Sequence, residues 1–260
     1  MRIVLIGAGN LATSLGHALR KAGHDILQVY SRTLESADML ARSIDALAVN
    51  DVSDIIQDAD FYVISIKDSV LEEVAKGLTL CAGNPVVVHT AGSMGMNVFE
   101  GCSVNYGVLY PMQTFSKERV VDFKDIHCFV EGVNDYSVKV ISEVAESISA
   151  NVHNLSSADR RYLHLAAVFA CNFVNHCFAL SSDILSRHGM SFDVMAPLIN
   201  ETVSKAYAMA PQDAQTGPAV RYDSNVIDSH CSMLDSLPMH RSVYDIMSKS
   251  IHEMSKARRK

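Results

Sequence analysis

Gly7-Ala8-Gly9-Asn10-Leu11-Ala12 has the spacing with which a main chain grips a pyrophosphate. These residues follow the apolar run Arg2 to Ile6 and precede an amphipathic stretch, Asn10 to Ala22, so they fall at a strand–turn–helix junction. Gly7 permits the tight turn. Gly9 lets backbone N–H groups approach the ligand without a Cβ in the way. Asn10 and Leu11 open the helix, whose positive end faces the anion, and Ala12 is small enough for helix to pack on strand.

The next strand end distinguishes the dinucleotides. An acid there accepts hydrogen bonds from the ribose hydroxyls of NAD and repels a 2′-phosphate. This chain instead has Tyr30-Ser31-Arg32-Thr33. Arg32 can pair with the phosphate and stack on adenine, while Ser31 and Thr33 donate hydroxyls. NADP is the expected cofactor.

In an open α/β sheet, ligands bind beyond the carboxyl ends of the strands. Three further segments fall at such ends: Ile66 and Lys67, then His89-Thr90-Ala91-Gly92-Ser93, then Tyr110 to Phe115. Thr90 to Gly92 suit close approach of a nicotinamide or substrate. His89 reads either as a cleft residue or as a buried, hydrogen-bonded one, and Lys67 either as a cofactor contact or as a loop lysine.

A second group of polar residues lies on a long apolar helix starting near Ser157. At about 100° per residue, His164, Asn175, Asn172 and His176 fall at about 0°, 20°, 80° and 120°. They form either a polar wall facing the nicotinamide or a hydrogen-bonded seam against another helix or subunit. On the first reading the proton donor is His164, His176 or His89, with Asn172 beside them. Further on, Gln215 to Ala219 contain a Gly-Pro turn, and Arg221 would suit an anionic substrate.

These residues need a frame. Strands at Arg2–Ile6, Asp25–Tyr30, 61–66, 85–89, 104–109 and 126–130 alternate with helices, which implies βαβ units and a sheet covered on both faces. No strand is expected beyond 155. The predicted architecture is a Rossmann-type α/β domain, doubly wound and mostly parallel, over 1–155. An all-helical domain for substrate binding or dimerisation follows over 156–260.

Composition narrows the partners. The 260 residues are 48% hydrophobic, with 22 Lys+Arg against 29 Asp+Glu for a net charge of −7, which disfavours a nucleic-acid backbone. Six cysteines without a C-x-x-C pair fit reduced thiols in a cytoplasm rather than a zinc or disulfide framework. Tyr162 to Ser182 holds 21 residues without a formal charge, enough to span a bilayer. Its histidines and asparagines favour a buried helix of a soluble protein. The basic tail Lys256 to Lys260 reads as a solvated helix end.

The Gly7 to Ala12 loop, Ser31-Arg32-Thr33, Ile66-Lys67 and Thr90-Ala91-Gly92 resemble pyrroline-5-carboxylate reductase and the deazaflavin-dependent NADP reductases. His89 to Ser93, Tyr110 to Phe115, Asn172 to His176 and Gln215 to Ala219 are similar to an uncharacterised bacterial family of NADP oxidoreductases with a C-terminal domain of unknown function. That resemblance implies a Rossmann domain followed by a helical one, and a homodimer formed through the helical domain. Hydroxyacid dehydrogenases and ketopantoate reductase carry Lys-x-x-x-Asn on the long helix. Here the equivalent registers read Val168-x-x-x-Asn172 or Cys171-x-x-x-Asn175, so the acidic lysine is missing. The expected function is NADPH-dependent reduction of a small C=N or C=O compound. The alternatives are a non-catalytic NADP-binding sensor or scaffold, and a ketopantoate-type dehydrogenase.

Overall fold

The structure is a computed structural model that describes residues 1–78, 84–117 and 119–258. Cys81 and the tail residues Arg259 and Lys260 lie outside the described residues.

One sheet contains eight strands: β1 (Arg2–Ile6), β2 (Asp25–Tyr30), β3 (Leu47–Val49), β4 (Phe61–Ile64), β5 (Val86–His89), β6 (Tyr106–Pro111), β7 (His127–Gly132) and β8 (Asn151–Asn154). Their order is β3-β2-β1-β4-β5-β6-β7-β8, and every pairing is parallel except β6 with β7. The central strands are continuous Val/Ile/Leu runs because both faces are covered. Ile3, Leu5 and Val63 pack with α1 (Asn10–Lys21), α2 (Leu34–Ile44) and α4 (Asp135–Ile148). Val4, Ile6 and Ile64 pack with α3 (Asp68–Gly77).

Three elements of the sheet-containing part are absent from the sequence reading. β3 and β8 are short edge strands, and the latter reads Asn-Val-His-Asn because one of its edges has no neighbour to demand apolar residues. The third, α4, is capped by the Asn134 carboxamide, which accepts from the Ser137 N–H at 2.8 Å.

The chain divides into two compact units, Met1–Asn172 and Phe173–Lys260. The division does not fall where strands give way to helices, near 155. α5 (Ser157–Ala167) belongs to the first unit because its opening turn is bonded to the sheet: Arg160, 1% exposed, donates to the Glu131 carboxylate of β7 at 2.7 Å. A π-helical stretch, Val168–Phe173, joins α5 to α6 (Val174–Arg187).

The second unit is helical. After α6 come α7 (Ala196–Ala208), α8 (Pro211–Ala214), α9 (Pro218–Arg221), α10 (Ser224–Met233) and α11 (Pro238–Arg258). Proline stands in the first turn of α7, α8 and α9, where its missing N–H costs no helical bond. Tyr222, at a φ of +53°, ends α9 before α10 begins. Gly217, at φ +103°, makes the turn into α9.

Candidate active site

Strand order reverses about β1: β2 lies on one side and β4 on the other. The chain therefore leaves β1 and β4 in opposite directions, which opens a crevice at their carboxyl ends. Gly7 occupies that point. Its N–H donates to the Tyr30 carbonyl at 2.8 Å, its φ is +126°, and a Cβ on it would sit 2.0 Å from the Ser65 carbonyl oxygen. Only glycine fits there. Gly9 differs: a Cβ there would meet nothing within 4 Å, so a side chain at Gly9 would obstruct a ligand rather than the protein. No side chain caps the N-terminus of α1, which leaves its first N–H groups for an anion.

The crevice opens into a cleft of about 750 Å³. Its walls include Gly7, Gly9, Asn10, Leu11, Ser31, Arg32, Thr33, Ile66, Lys67, Thr90, Ala91 and Gly92. Ala12 lies behind, 0% exposed, and packs helix against strand. The Asn10 carboxamide turns away from the phosphate turn and donates to the Phe115 carbonyl at 3.0 Å, tying that loop to the segment after β6.

At one end, Ser31, Arg32 and Thr33 are joined by Ser36, whose hydroxyl accepts from Thr33 Oγ1 at 2.8 Å. Ser36 was not apparent from the strand-end motif because it belongs to the first turn of α2. Arg32 has no carboxylate partner among the described residues. Beside it a hollow of about 670 Å³ is bordered by Tyr30, Arg32, Ile55, Val70 and Val74, together with the polar Ser53, Gln57 and Glu73.

At the other end, the loop after β5 is held by five hydrogen bonds to its backbone and one packing contact. His89 Nε2 donates to the Gly95 carbonyl at 3.3 Å, and its Nδ1 accepts from the Ala91 N–H at 3.1 Å. The remaining contacts descend α5: His164 lies over Gly92, Arg161 Nε donates to the Ser93 carbonyl at 3.1 Å, Arg160 donates to the Met94 carbonyl, and the Met96 N–H donates to Ser157 Oγ at 3.2 Å.

This corrects the candidacy of His89 as proton donor. The side chain is 0% exposed and both ring nitrogens are occupied. Burial, aided by the Arg160 charge, lowers its pKa to about 4, so at neutral pH it is an uncharged imidazole that shapes the loop from behind.

His164 does line the cleft, together with Tyr110. Tyr110 Oη lies 3.1 Å from His164 Nδ1, and the rings meet edge to face. Burial pushes the Tyr110 phenol up, so it keeps its proton and can donate to Nδ1 when the imidazole proton sits on Nε2. In that tautomer the Nε2 N–H has no partner among the described residues. Tyr110 was overlooked as a chemical group. Its only sequence signal is the polar, irregular run from Tyr110 to Phe115, and its partner is 54 residues away.

The remaining candidates lie elsewhere. Asn172 is exposed within the π-helical stretch and does not line the cleft. Asn175, His176, Gln215 to Ala219 and Arg221 belong to the second unit. There Thr216, Pro218 and Ala219 border an apolar hollow of about 460 Å³, with Cys177 and His240. No group of three or more metal-ligating side chains occurs among the described residues.

Residues 2–92 match the family described as NADP oxidoreductase, coenzyme F420-dependent, and residues 126–251 match a domain of unknown function, DUF2520. A crystal structure from Bacteroides fragilis, assigned as an NADP oxidoreductase, is 47% identical. It covers 97% of this chain and 98% of its own, with a TM-score of 0.93. The chain belongs to the NADP oxidoreductase family that carries the DUF2520 domain. An imine reductase from Myxococcus stipitatus in complex with NADP+ shares the fold at 16% identity, covering 99% of this chain and 95% of that one with a TM-score of 0.71. A 1-pyrroline-5-carboxylate reductase from Streptococcus pyogenes does so at 14% identity, 97% and 98% coverage and a TM-score of 0.64. None of the curated proteins matches the chain. The cofactor of this oxidoreductase is NADP. The residues present fit it: a turn that only glycine can make, an uncapped helix start, and an arginine without a counter-ion beside three hydroxyls.

Proposed function

We propose that this NADP oxidoreductase reduces a small C=N or C=O compound, with C=N the better fit. One observation carries the reading: a single cleft joins the phosphate turn and Arg32 at one end to the Tyr110–His164 pair at the other. NADPH supplies the hydride when bound. The protein must supply one proton and hold the acceptor still. His164 Nε2 gives its proton to the acceptor while Nδ1 takes the Tyr110 hydroxyl proton, and the phenol is then reprotonated from solvent, so the pair together supplies the one proton. Tyr162 to Ser182 contains no lysine to protonate a carbonyl oxygen. An imine that arrives protonated needs less help, which favours C=N, the bond that the neighbouring imine reductase is named for.

The helix Ser157–Arg187 is long and apolar enough to cross a membrane, and none of its most apolar window is buried. Leu165 and Ile184 stand 52% and 37% exposed along it. We read this helix as covered by a second copy of the chain, so the oxidoreductase is a cytoplasmic homodimer. Its polar residues, His164, Asn172, Asn175 and His176, would be costly in lipid. Sedimentation at micromolar concentration tests this: a monomer that needs detergent would contradict it.

The test of function follows NADPH absorbance with matched cyclic imines and ketones. Turnover is expected, faster with imines, and His164→Asn should lower kcat by about 10²-fold or more with NADPH affinity unchanged. NADPH binding without turnover of any compound would favour a sensor or scaffold instead.

A further inference from the structure

Arg160 and Arg161 are neighbours with different surroundings. Arg160 is buried on the Glu131 carboxylate. Arg161 is exposed, its Nε is tied to the Ser93 carbonyl at 3.1 Å, and its guanidinium has no carboxylate within ion-pair distance among the described residues. Six other arginines stand on carboxylates. Holding Nε fixes the plane of the fork and leaves the outer nitrogens to meet a flat anion. The nearby carboxylates are engaged elsewhere: Glu131 holds Arg160, Asp159 accepts from Ser156, and Asp68 accepts the Ser93 hydroxyl.

Position gives this free fork a use. Arg161 lies three residues before His164 on α5, and the two grip adjacent residues of one loop, Ser93 and Gly92. Helix residues three apart have Cβ atoms about 5–6 Å from each other. The two side chains therefore start from one face of the helix, so a single small ligand with a carboxylate next to its reducible carbon can meet both. We infer that Arg161 is an anion subsite beside the Gly92–His164 wall of the cleft, which takes the carboxylate of the substrate and narrows its class to imino or oxo carboxylic acids. This rests on the reductase reading above.

A matched pair of probes tests it without turnover. 2-Furoate and 2-furamide differ in charge but hardly in shape, and each is titrated by calorimetry into protein saturated with NADP+. Furoate is expected to bind at least about tenfold tighter than furamide, as a charge-assisted fork requires. Arg161→Gln should abolish that preference, and Arg161→Lys should restore only part of it. Furamide and NADP+ affinities should stay within twofold in both variants, because a merely structural arginine would disturb them as well. Equal binding of the two probes, binding of neither, or an undiminished preference in Arg161→Gln overturns the subsite. Protein that takes up NADP+ but ignores the charge leaves the reductase reading standing, whereas failure to take up NADP+ sinks both. Loss of NADP+ binding in Arg161→Gln alone would assign the fork to a cofactor phosphate instead.

Discussion

The imidazole of His164 lies directly on the backbone of Gly92: a Cβ at Gly92 would come within 2.5 Å of Nδ1, 2.7 Å of Cγ and 3.0 Å of the His164 Cβ. The contact involves the root of the side chain as well as its tip, so a ring rotation alone does not relieve it. Gly92→Ala should therefore push His164 off the Tyr110 hydroxyl while leaving the phosphate turn intact. We expect kcat to fall about 10- to 100-fold, with NADPH affinity within threefold of wild type. An unchanged kcat would mean that the ring is not held there.

Tyr110→Phe removes the donor to Nδ1 and keeps the buried ring. His164 can then carry its proton on either nitrogen. The expected result is a kcat lowered about tenfold or more, a shifted pH profile and an unaltered Kd for NADPH. A rate within twofold of wild type, with the same profile, would remove Tyr110 from the proton pathway.

His89 ties the loop to pH. Its pKa is about 4 in the folded chain against 6.5 in the open chain, because burial and the Arg160 charge disfavour the cation. Below pH 6.5 the unfolded chain takes up a proton that the folded chain refuses. The contribution is therefore complete above pH 6.5 and is lost as pH falls towards 4. It amounts to roughly 3 kcal/mol over that window. Chemical denaturation at several pH values should show this slope in the wild type and a shallower one in His89→Leu. Equal slopes would contradict the assignment.

The cofactor end was legible because its chemistry is contiguous. Gly7, Gly9 and Ala12 sit in one turn, and Ser31 to Thr33 directly follow β2, so residue type and order suffice. The reacting end is assembled across the fold. Tyr110 meets His164 only because β6 and α5 are brought together, and Glu131 on β7 anchors Arg160; no spacing in the chain announces either pair. His89 shows the opposite limit. A histidine at a strand's carboxyl end was open to two readings, and only its complete burial separates them. The helical arithmetic over His164, Asn172, Asn175 and His176 assumed an unbroken α-helix, but the π-helical turn at Val168–Phe173 widens the spiral between them.

The most direct test of the central claim, that the cleft holds NADP with Arg32 on its 2′-phosphate, is calorimetric titration of the wild type and Arg32→Gln with NADPH and NADH. A charge-assisted pair to a phosphate contributes about 1.5–3 kcal/mol, or roughly 10- to 100-fold in affinity. The wild type should prefer NADPH by that factor, and Arg32→Gln should lose the preference through weaker NADPH binding, with NADH unaffected. Tighter binding of NADH by the wild type, or a preference that survives the substitution, would contradict the account.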